Sequence, residues 1–390
     1  MNCLELPAIP ATSPTLAETM RLCPLRAGLS RATGSTTFVL GSPRAWLGTA
    51  YHQVLERIRA VDPAEESADS AAERLWSQAV TSQYQRMTNH PLDRRFGLPE
   101  TWPGYYLARA SALLRARELM TALAKEPHTG GAAVGASEFT GSMRERSFAA
   151  FAGKLVGRPD LIQGSEIVDY KSGAVLEYDE VAQTDVVKAA YIRQLRIYGF
   201  LVKETLGWWP KRGLLLPLAG AAVEVALDPG NCTHEANEAV ALLDAYNRAI
   251  RTEVDPPQLA MPSVEACSWC PFKTICPRFW EAVSPAWSNR LDGVTIEGDL
   301  IQPPAVVHGG AAMSLSVRVW RGSAVDQEAR ISPLNLNVHP LVGQLVAGDR
   351  VRVIGLRSRS DGGLLPTLRT VMTRVDQTPD LAFANAVAVV

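Results

Sequence analysis

The sequence predicts a mixed α/β fold, a sheet flanked by helices, followed by a smaller all-β unit at the carboxyl end. Three observations predict it. Stretches rich in Ala, Leu, Arg and Glu and free of Pro and Gly lie before residue 126. An acid-bearing hairpin then gives way to a long helix and a further strand, and the order strand, strand, helix, strand belongs to a mixed sheet. After Cys276 short alternating apolar runs separated by Gly and Pro replace the helical pattern. At 390 residues the chain has room for two or three domains, and 47% hydrophobic content suffices for their cores.

Residues 1–40 read as a Pro- and Thr-containing lead that delivers Cys23, residues 41–280 as the main α/β domain and residues 291–378 as the β domain. Helices are expected over 64–85 and 105–124, with a break over 126–135 at Pro127, Gly130 and Gly131. Residues 183–206 read as one long helix, 213–227 as a return to strand and 234–252 as helix again. In the β domain, strands are expected at 313–320, 350–356 and 365–372.

The chemistry concentrates in the hairpin. An extended run from about Lys154 ends at Asp160, Gly164-Ser165 supplies a turn, and residues 166–171 return as a strand. Side chains alternate along a strand, so Asp169 and Lys171 share one face while Val168 and Tyr170 take the other. If the hairpin brings Asp160 to Asp169, the two carboxylates and the backbone carbonyl of Tyr170 make a hard oxygen site suited to Mg2+ or Mn2+, with Lys171 beside a bound water. The plainer reading is two solvated strand-end acids and a lysine that guards an edge. On the long helix, Gln194 and Tyr198 are four apart, so an amide and an aromatic ring can reach one groove and hold a nucleotide; such pairs also occur simply packed and solvated. His52 sits in an amphipathic stretch with Leu47, Val54, Leu55 and Ile58, where a lone histidine is usually structural or exposed.

Taken together, Pro159-Asp160, Asp169-Tyr170-Lys171, His52 upstream, and Gln194 with Tyr198 downstream resemble the PD-(D/E)XK nuclease superfamily, and more closely its RecB-like branch. The resemblance implies a restriction-endonuclease-like sheet in which His52, Asp160, Asp169 and Tyr170 hold Mg2+ or Mn2+. By the same resemblance Asp160, Asp169 and Lys171 are catalytic, and Gln194 and Tyr198 place the DNA strand. It further implies a DNA nuclease, an exonuclease acting on single-stranded ends, in DNA repair or antiviral defence. Two other readings stay open. One is a non-catalytic nucleic-acid-binding scaffold, against which the intact Asp160, Asp169 and Lys171 argue. The other is an adaptor that recruits a helicase or integrase.

Cysteine spacing is the second signal. Cys267, Cys270 and Cys276 are separated by two and then five residues. No secretory signal is visible at the start of the sequence, and a cytosolic chain keeps thiols reduced, so clustered cysteines there suggest metal ligation. Cys23, followed by Pro24, resembles the amino-terminal cysteine of iron-sulfur members of the RecB-like branch, such as the CRISPR adaptation nucleases and AddB-type subunits. That likeness implies a structural [4Fe-4S] cluster on Cys23, Cys267, Cys270 and Cys276. A four-thiolate zinc site and plain buried thiols remain the alternatives. Cys3 and Cys232 have no motif around them.

Composition excludes other classes. A formal net charge of −1 rules out a strongly basic nucleic-acid coat, so any DNA contact comes from a local channel. No apolar run reaches the ~18 residues a bilayer span needs, and a soluble cytoplasmic protein is expected. There is no GxxxxGK[ST] phosphate loop, so the chain must act alone or borrow a motor. Residues 346–355 resemble an OB-fold strand, from a barrel that often binds single-stranded nucleic acid. Nine arginines, no lysine and eight acids between 291 and 378 leave the charge nearly balanced. A barrel that packs on the nuclease domain or binds a protein is the other reading.

Overall fold

Ser13 and two prolines organise the amino-terminal lead into β1 (Cys3–Leu6), α1 (Pro14–Leu22) and α2 (Pro24–Leu29). The Ser13 hydroxyl accepts from Leu16 N, and Pro14 and Pro24 each occupy a helix start, where a missing N–H leaves nothing unsatisfied. The lead is therefore more regular than its composition predicts. The structure is a computed structural model describing residues 3–62, 64–125, 141–252, 254–288, 290–324 and 327–384; the break expected at 126–135 lies outside the described residues.

The helices expected before residue 126 form a layer of α3 (Pro43–Arg57), α4 (Ala68–Asn89) and α5 (Tyr105–Lys125). Fully buried Ala50, Ala72 and Ala112 let the helices approach closely around Val54 and Trp76. Strands β2 (Ser142–Arg144), β3 (Phe148–Ala150), β4 (Leu155–Gly157), β5 (Leu161–Gln163) and β6 (Glu166–Lys171) follow. The single extended run expected over 154–160 is in fact divided. β4 pairs with β3, and the chain re-enters the main sheet only at β5, after Pro159, which cannot donate to a ladder. β5 and β6 form the expected antiparallel hairpin, Leu161 opposite Val168, and Gly164 (φ 55°) takes the left-handed turn position.

β7 (Leu176–Asp179) and β8 (Thr184–Val187) make a small hairpin before α6 (Ala189–Leu206). Residues 184–187 were expected to be helical; β-branched Thr184, Val186 and Val187 instead pair with β7, and the helix starts five residues later than 184. The segment 213–227 is likewise two strands, β9 (Arg212–Pro217) and β10 (Val223–Ala226), antiparallel across a turn containing Gly220. β9 lies parallel to β6 with Leu215 opposite Asp169, which completes a sheet in the order β10-β9-β6-β5-β2. α6 and α7 (Pro229–Arg251) cover the face opposite α3–α5 through Ile162, Ile167, Leu195 and Leu215. Both faces of β6 are thus buried, which accounts for its run of buried residues from Ile167 to Tyr170.

After α8 (Val264–Ser268) and α9 (Pro277–Ala282) come β11 (Val294–Leu300), β12 (Ala305–Val307), β13 (Ala312–Gly322), β14 (Glu328–Leu334), β15 (Arg350–Ser358) and β16 (Leu364–Arg374). Five of these close a ring, β11-β13-β14-β16-β15 and back to β11, around Ile296, Leu315, Ile331 and Val353. Within this ring, among the described residues, only β14 and β16 pair in parallel. This barrel is compatible with the OB-like expectation. β17 (Asp380–Phe383) pairs in parallel with β1, and a shared core joins Leu25, Phe279 and Trp280 to Ile354 and Val371 of the barrel. Among the described residues no helix is long and apolar enough to cross a membrane.

Candidate active site

The alternation of β6 sends Val168 and Tyr170 into the α3–α5 layer and leaves Asp169 and Lys171 facing α6. Asp160, in the bend before β5, is held there because its Oδ2 accepts from Tyr170 N at 2.7 Å. One pocket of about 250 Å³ is lined by His52 from α3, Asp160, Asp169 and Lys171, with Gln194 and Tyr198 from α6. Tyr170, Ser172, Gly173 and Tyr191 complete its wall. Residues separated by more than 140 positions, His52 to Tyr198, thus meet at one opening.

Gln194 organises the polar contacts. Its Oε1 accepts from Lys171 Nζ at 2.7 Å, while its Nε2 donates to Asp169 Oδ1 at 3.1 Å and to Tyr198 OH at 3.2 Å. Lys171 Nζ also lies 2.6 Å from Asp169 Oδ2. That ion pair puts the ammonium directly on the buried Asp169 Oδ2. Burial pushes the Asp160 and Asp169 carboxyls above the ordinary range, and Lys171 pulls Asp169 back down. Burial holds the His52 imidazole below its usual value, with Asp169 opposing, which favours the neutral ring that can act as a ligand.

These features suit a divalent cation in their chemistry. Two carboxyls in a low-dielectric pocket, Asp169 only 3% exposed, are stabilised by added positive charge. The donors are nevertheless not drawn together beforehand. Among the described residues no group of three or more His, Cys, Asp or Glu side chains forms a ready metal-ion site.

The sequence reading missed two parts of the site. Tyr191 presents its ring to Lys171, whose Nζ lies 4.5 Å from the centroid. Its spacing from Gln194, three residues, is a helical signal that was there to be read. The second lies beside the pocket rather than in its wall: arginines surround the buried ring of Tyr170. Arg115 lies 5.9 Å from that ring, Arg59 and Arg144 both act on its phenol, and among the described residues Arg59 Nε and Arg144 Nη1 are buried with no hydrogen-bond partner. Burial first, then Arg144, holds Arg59 below its usual value. These arginines come from three distant segments, so no linear spacing announces them.

Cys23 lies at the joint of α1 and α2, Cys267 in α8, Cys270 just beyond it and Cys276 at the start of α9. All four line one narrow cavity of about 20 Å³. Burial pushes the Cys267, Cys270 and Cys276 thiols up, Cys267 to about 11 and Cys276 to about 12, which favours their neutral form unless a cation draws off the protons. The donor set suits iron-sulfur or zinc, but the cavity has room for about one atom-sized guest, so a larger cluster requires the thiols to move apart. Cys3 is exposed and Cys232 is buried beside Gly199, away from this cavity.

No curated protein sequence matches the chain. A solved structure from Eubacterium rectale, described as a candidate exonuclease, shares 10% identity over 63% of this chain and 83% of its own, with a TM-score of 0.35. The PD-(D/E)XK nuclease superfamily, by contrast, matches residues 11–277, which span the hairpin, both flanking helix layers and the clustered cysteines. The chain belongs to the PD-(D/E)XK nuclease superfamily.

Proposed function

We propose that this protein is a metal-dependent deoxyribonuclease, an exonuclease of the RecB-like branch that trims single-stranded DNA ends in the cytoplasm during DNA repair or antiviral defence. The observation that carries this reading is the Lys171 ammonium held at once by Asp169 and Gln194, in the pocket that His52 and Asp160 also line. Members of the superfamily generally use Mg2+ or Mn2+. Here His52, Asp160, Asp169 and the Tyr170 carbonyl would hold that ion, which supplies Lewis acidity at the phosphoryl oxygens and a more acidic water.

The side chains account for the rest. As water adds to phosphorus and the bond to the leaving sugar oxygen breaks, the Lys171 ammonium stabilises the negative charge that accumulates. Gln194 keeps Lys171 and Asp169 in register and joins them to Tyr198, so strand placement and charge stabilisation share one hydrogen-bonded unit. The arginines around Tyr170 add positive charge next to the pocket, which supports a polyanionic substrate. In this reading a helicase in another chain supplies any motor. The division into a lead of residues 1–40, a nuclease domain of 41–280 and an OB-like domain of 291–378 is part of the proposal. So is a [4Fe-4S] cluster on Cys23, Cys267, Cys270 and Cys276 that staples the two ends of the nuclease domain.

The test is degradation of end-labelled single- and double-stranded DNA in Mn2+ and in Mg2+, using anaerobically purified protein beside its Asp169→Ala variant. Divalent-dependent cleavage lost in the variant is expected, and the label reports polarity. Absence of cleavage by folded wild-type protein would sink the reading and favour a scaffold or adaptor. Iron, sulfide and zinc contents of the same preparation decide the metal: iron with sulfide supports the cluster, one zinc per chain replaces it.

A further inference from the structure

Between the two cysteines of the 267–270 turn stands a tryptophan that no part of the proposed active site uses. Trp269 is 65% exposed, whereas Trp76 and Trp280, both large core residues, are almost wholly buried. It overlooks a groove of about 190 Å³ where three parts of the chain meet: the start of α3, the cysteine-bearing turn and the barrel strands β15 and β16. The Arg369 guanidinium lies 5.9 Å from the Trp269 ring, and beside it Leu368 on β16 is 62% exposed. An exposed indole next to an exposed leucine and a guanidinium offers a flat apolar face beside a positive charge.

Charge selects the occupant. The groove is lined by Arg44, Arg95, Lys273 and Arg369 against a single acid, Asp292, in a chain whose formal net charge is −1. Some of that charge is committed: Arg369 pairs with Asp292, Arg95 pairs with Asp93, and Lys273 Nζ donates to Ser268 O at 2.9 Å. Arg44 is exposed at the groove's edge. The lining is still net positive, which disfavours a cationic peptide and suits a polyanion that also carries flat apolar rings.

We propose that this groove binds single-stranded nucleic acid, with a base stacked on Trp269 and the backbone following Arg44 and Arg369. The inference rests on the reading of the protein as a nucleic-acid enzyme and assigns it a second, non-catalytic contact. α3 connects the two places. It starts at the groove with Arg44 and carries His52 into the active site eight residues on, about 12 Å along the axis at 1.5 Å per residue. That separation corresponds to roughly three or four nucleotides stacked at 3.4 Å. A strand whose backbone runs past Arg44 would need only a few nucleotides to span the length of α3 as far as His52. The barrel's part is to supply one wall of the groove through Leu368 and Arg369.

The test is fluorescence anisotropy of a 5′-fluorescein-labelled 20-residue oligo-dT in EDTA, where no cleavage can occur, with full-length wild-type protein and its Trp269→Ala, Trp269→Phe and Arg44→Gln variants. Trp269→Ala is expected to weaken binding about tenfold while Trp269→Phe keeps most of it, because stacking needs an aromatic face. Arg44→Gln is expected to lower the slope of log affinity against log salt by about one. Because Trp269 is exposed, the thermal midpoint of Trp269→Ala should match wild type; if it does not, Trp269→Phe and Arg44→Gln carry the test alone. Equal affinity for wild type and Trp269→Ala overturns the proposal, as does a wild type that captures a protein but no oligo-dT. Neither result touches the nuclease reading, since metal-dependent cleavage is measured separately; conversely, oligo-dT binding that depends on Trp269 in a protein without cleavage would retain the groove and remove the enzyme.

Discussion

Gln194 Oε1 accepts a hydrogen bond from Lys171 Nζ at 2.7 Å, across 23 residues of sequence and between a strand and a helix. The same amide donates to Asp169, so its two ends distinguish an ammonium from a carboxylate. Gln194→Glu removes that donor and sets a second carboxylate against buried Asp169. Loss of about 10²-fold in single-turnover cleavage is expected, with the fold intact by circular dichroism. Cleavage within threefold of wild type would show that Gln194 does not position the pair.

Gly157 ends β4 directly beneath Tyr198. A Cβ there would come within 2.6 Å of Leu201 Cδ1 and 3.0 Å of Tyr198 Cε1. Gly157→Ala should cost about 1–3 kcal/mol by overpacking and should lower cleavage as Tyr198 is displaced. Urea unfolding with a parallel activity assay checks both, and an unchanged midpoint refutes the packing argument.

Arg352 and Glu297 form a buried ion pair at 2.7 Å on the barrel's outer face against Trp280, and Arg352 also donates to Thr274 O at 2.9 Å, between the clustered cysteines. Burial, partly offset by Glu297, holds the Arg352 guanidinium below its usual value. Arg352→Leu strands a buried carboxylate and should destabilise the protein by about 3–5 kcal/mol, whereas pairing it with Glu297→Leu should recover much of the loss. A single variant as stable as wild type in thermal denaturation would contradict this.

His339, at the edge of the barrel, is buried and lies near Arg95; burial first and that guanidinium second push its imidazole down to about 4. A depressed histidine is charged more readily in the unfolded chain, whose ordinary value is about 6.5. Its contribution is therefore fully present above pH 6.5 and is lost as pH falls toward 4, up to about 3 kcal/mol. Buried Asp160 and Asp169, raised in the fold, act in the opposite direction over the same range, so the informative quantity is the difference between wild type and His339→Gln. The stability gap between the two should change between pH 7 and pH 4.5; a constant gap would exclude the titration.

Short-range periodicity made much of this protein legible in advance. A strand's period of two puts Asp169 beside Lys171 and a helix's period of 3.6 puts Gln194 beside Tyr198, whatever surrounds them, so these pairs could be read from spacing alone. Local propensity also marked α5 and the β5–β6 hairpin, but it misassigned residues 184–187, where pairing with β7 overrode the helical pattern that follows. The tertiary structure alone decided that β6 runs parallel to β9, that His52 meets Asp169, that Tyr191 faces Lys171 and that arginines from three segments surround Tyr170. It alone placed Trp269 against Arg369 and closed the barrel between β11 and β13. The physical reason is range: backbone sterics and side-chain alternation act within a few residues, whereas these meetings depend on which apolar faces bury one another, a choice made by the whole chain at once.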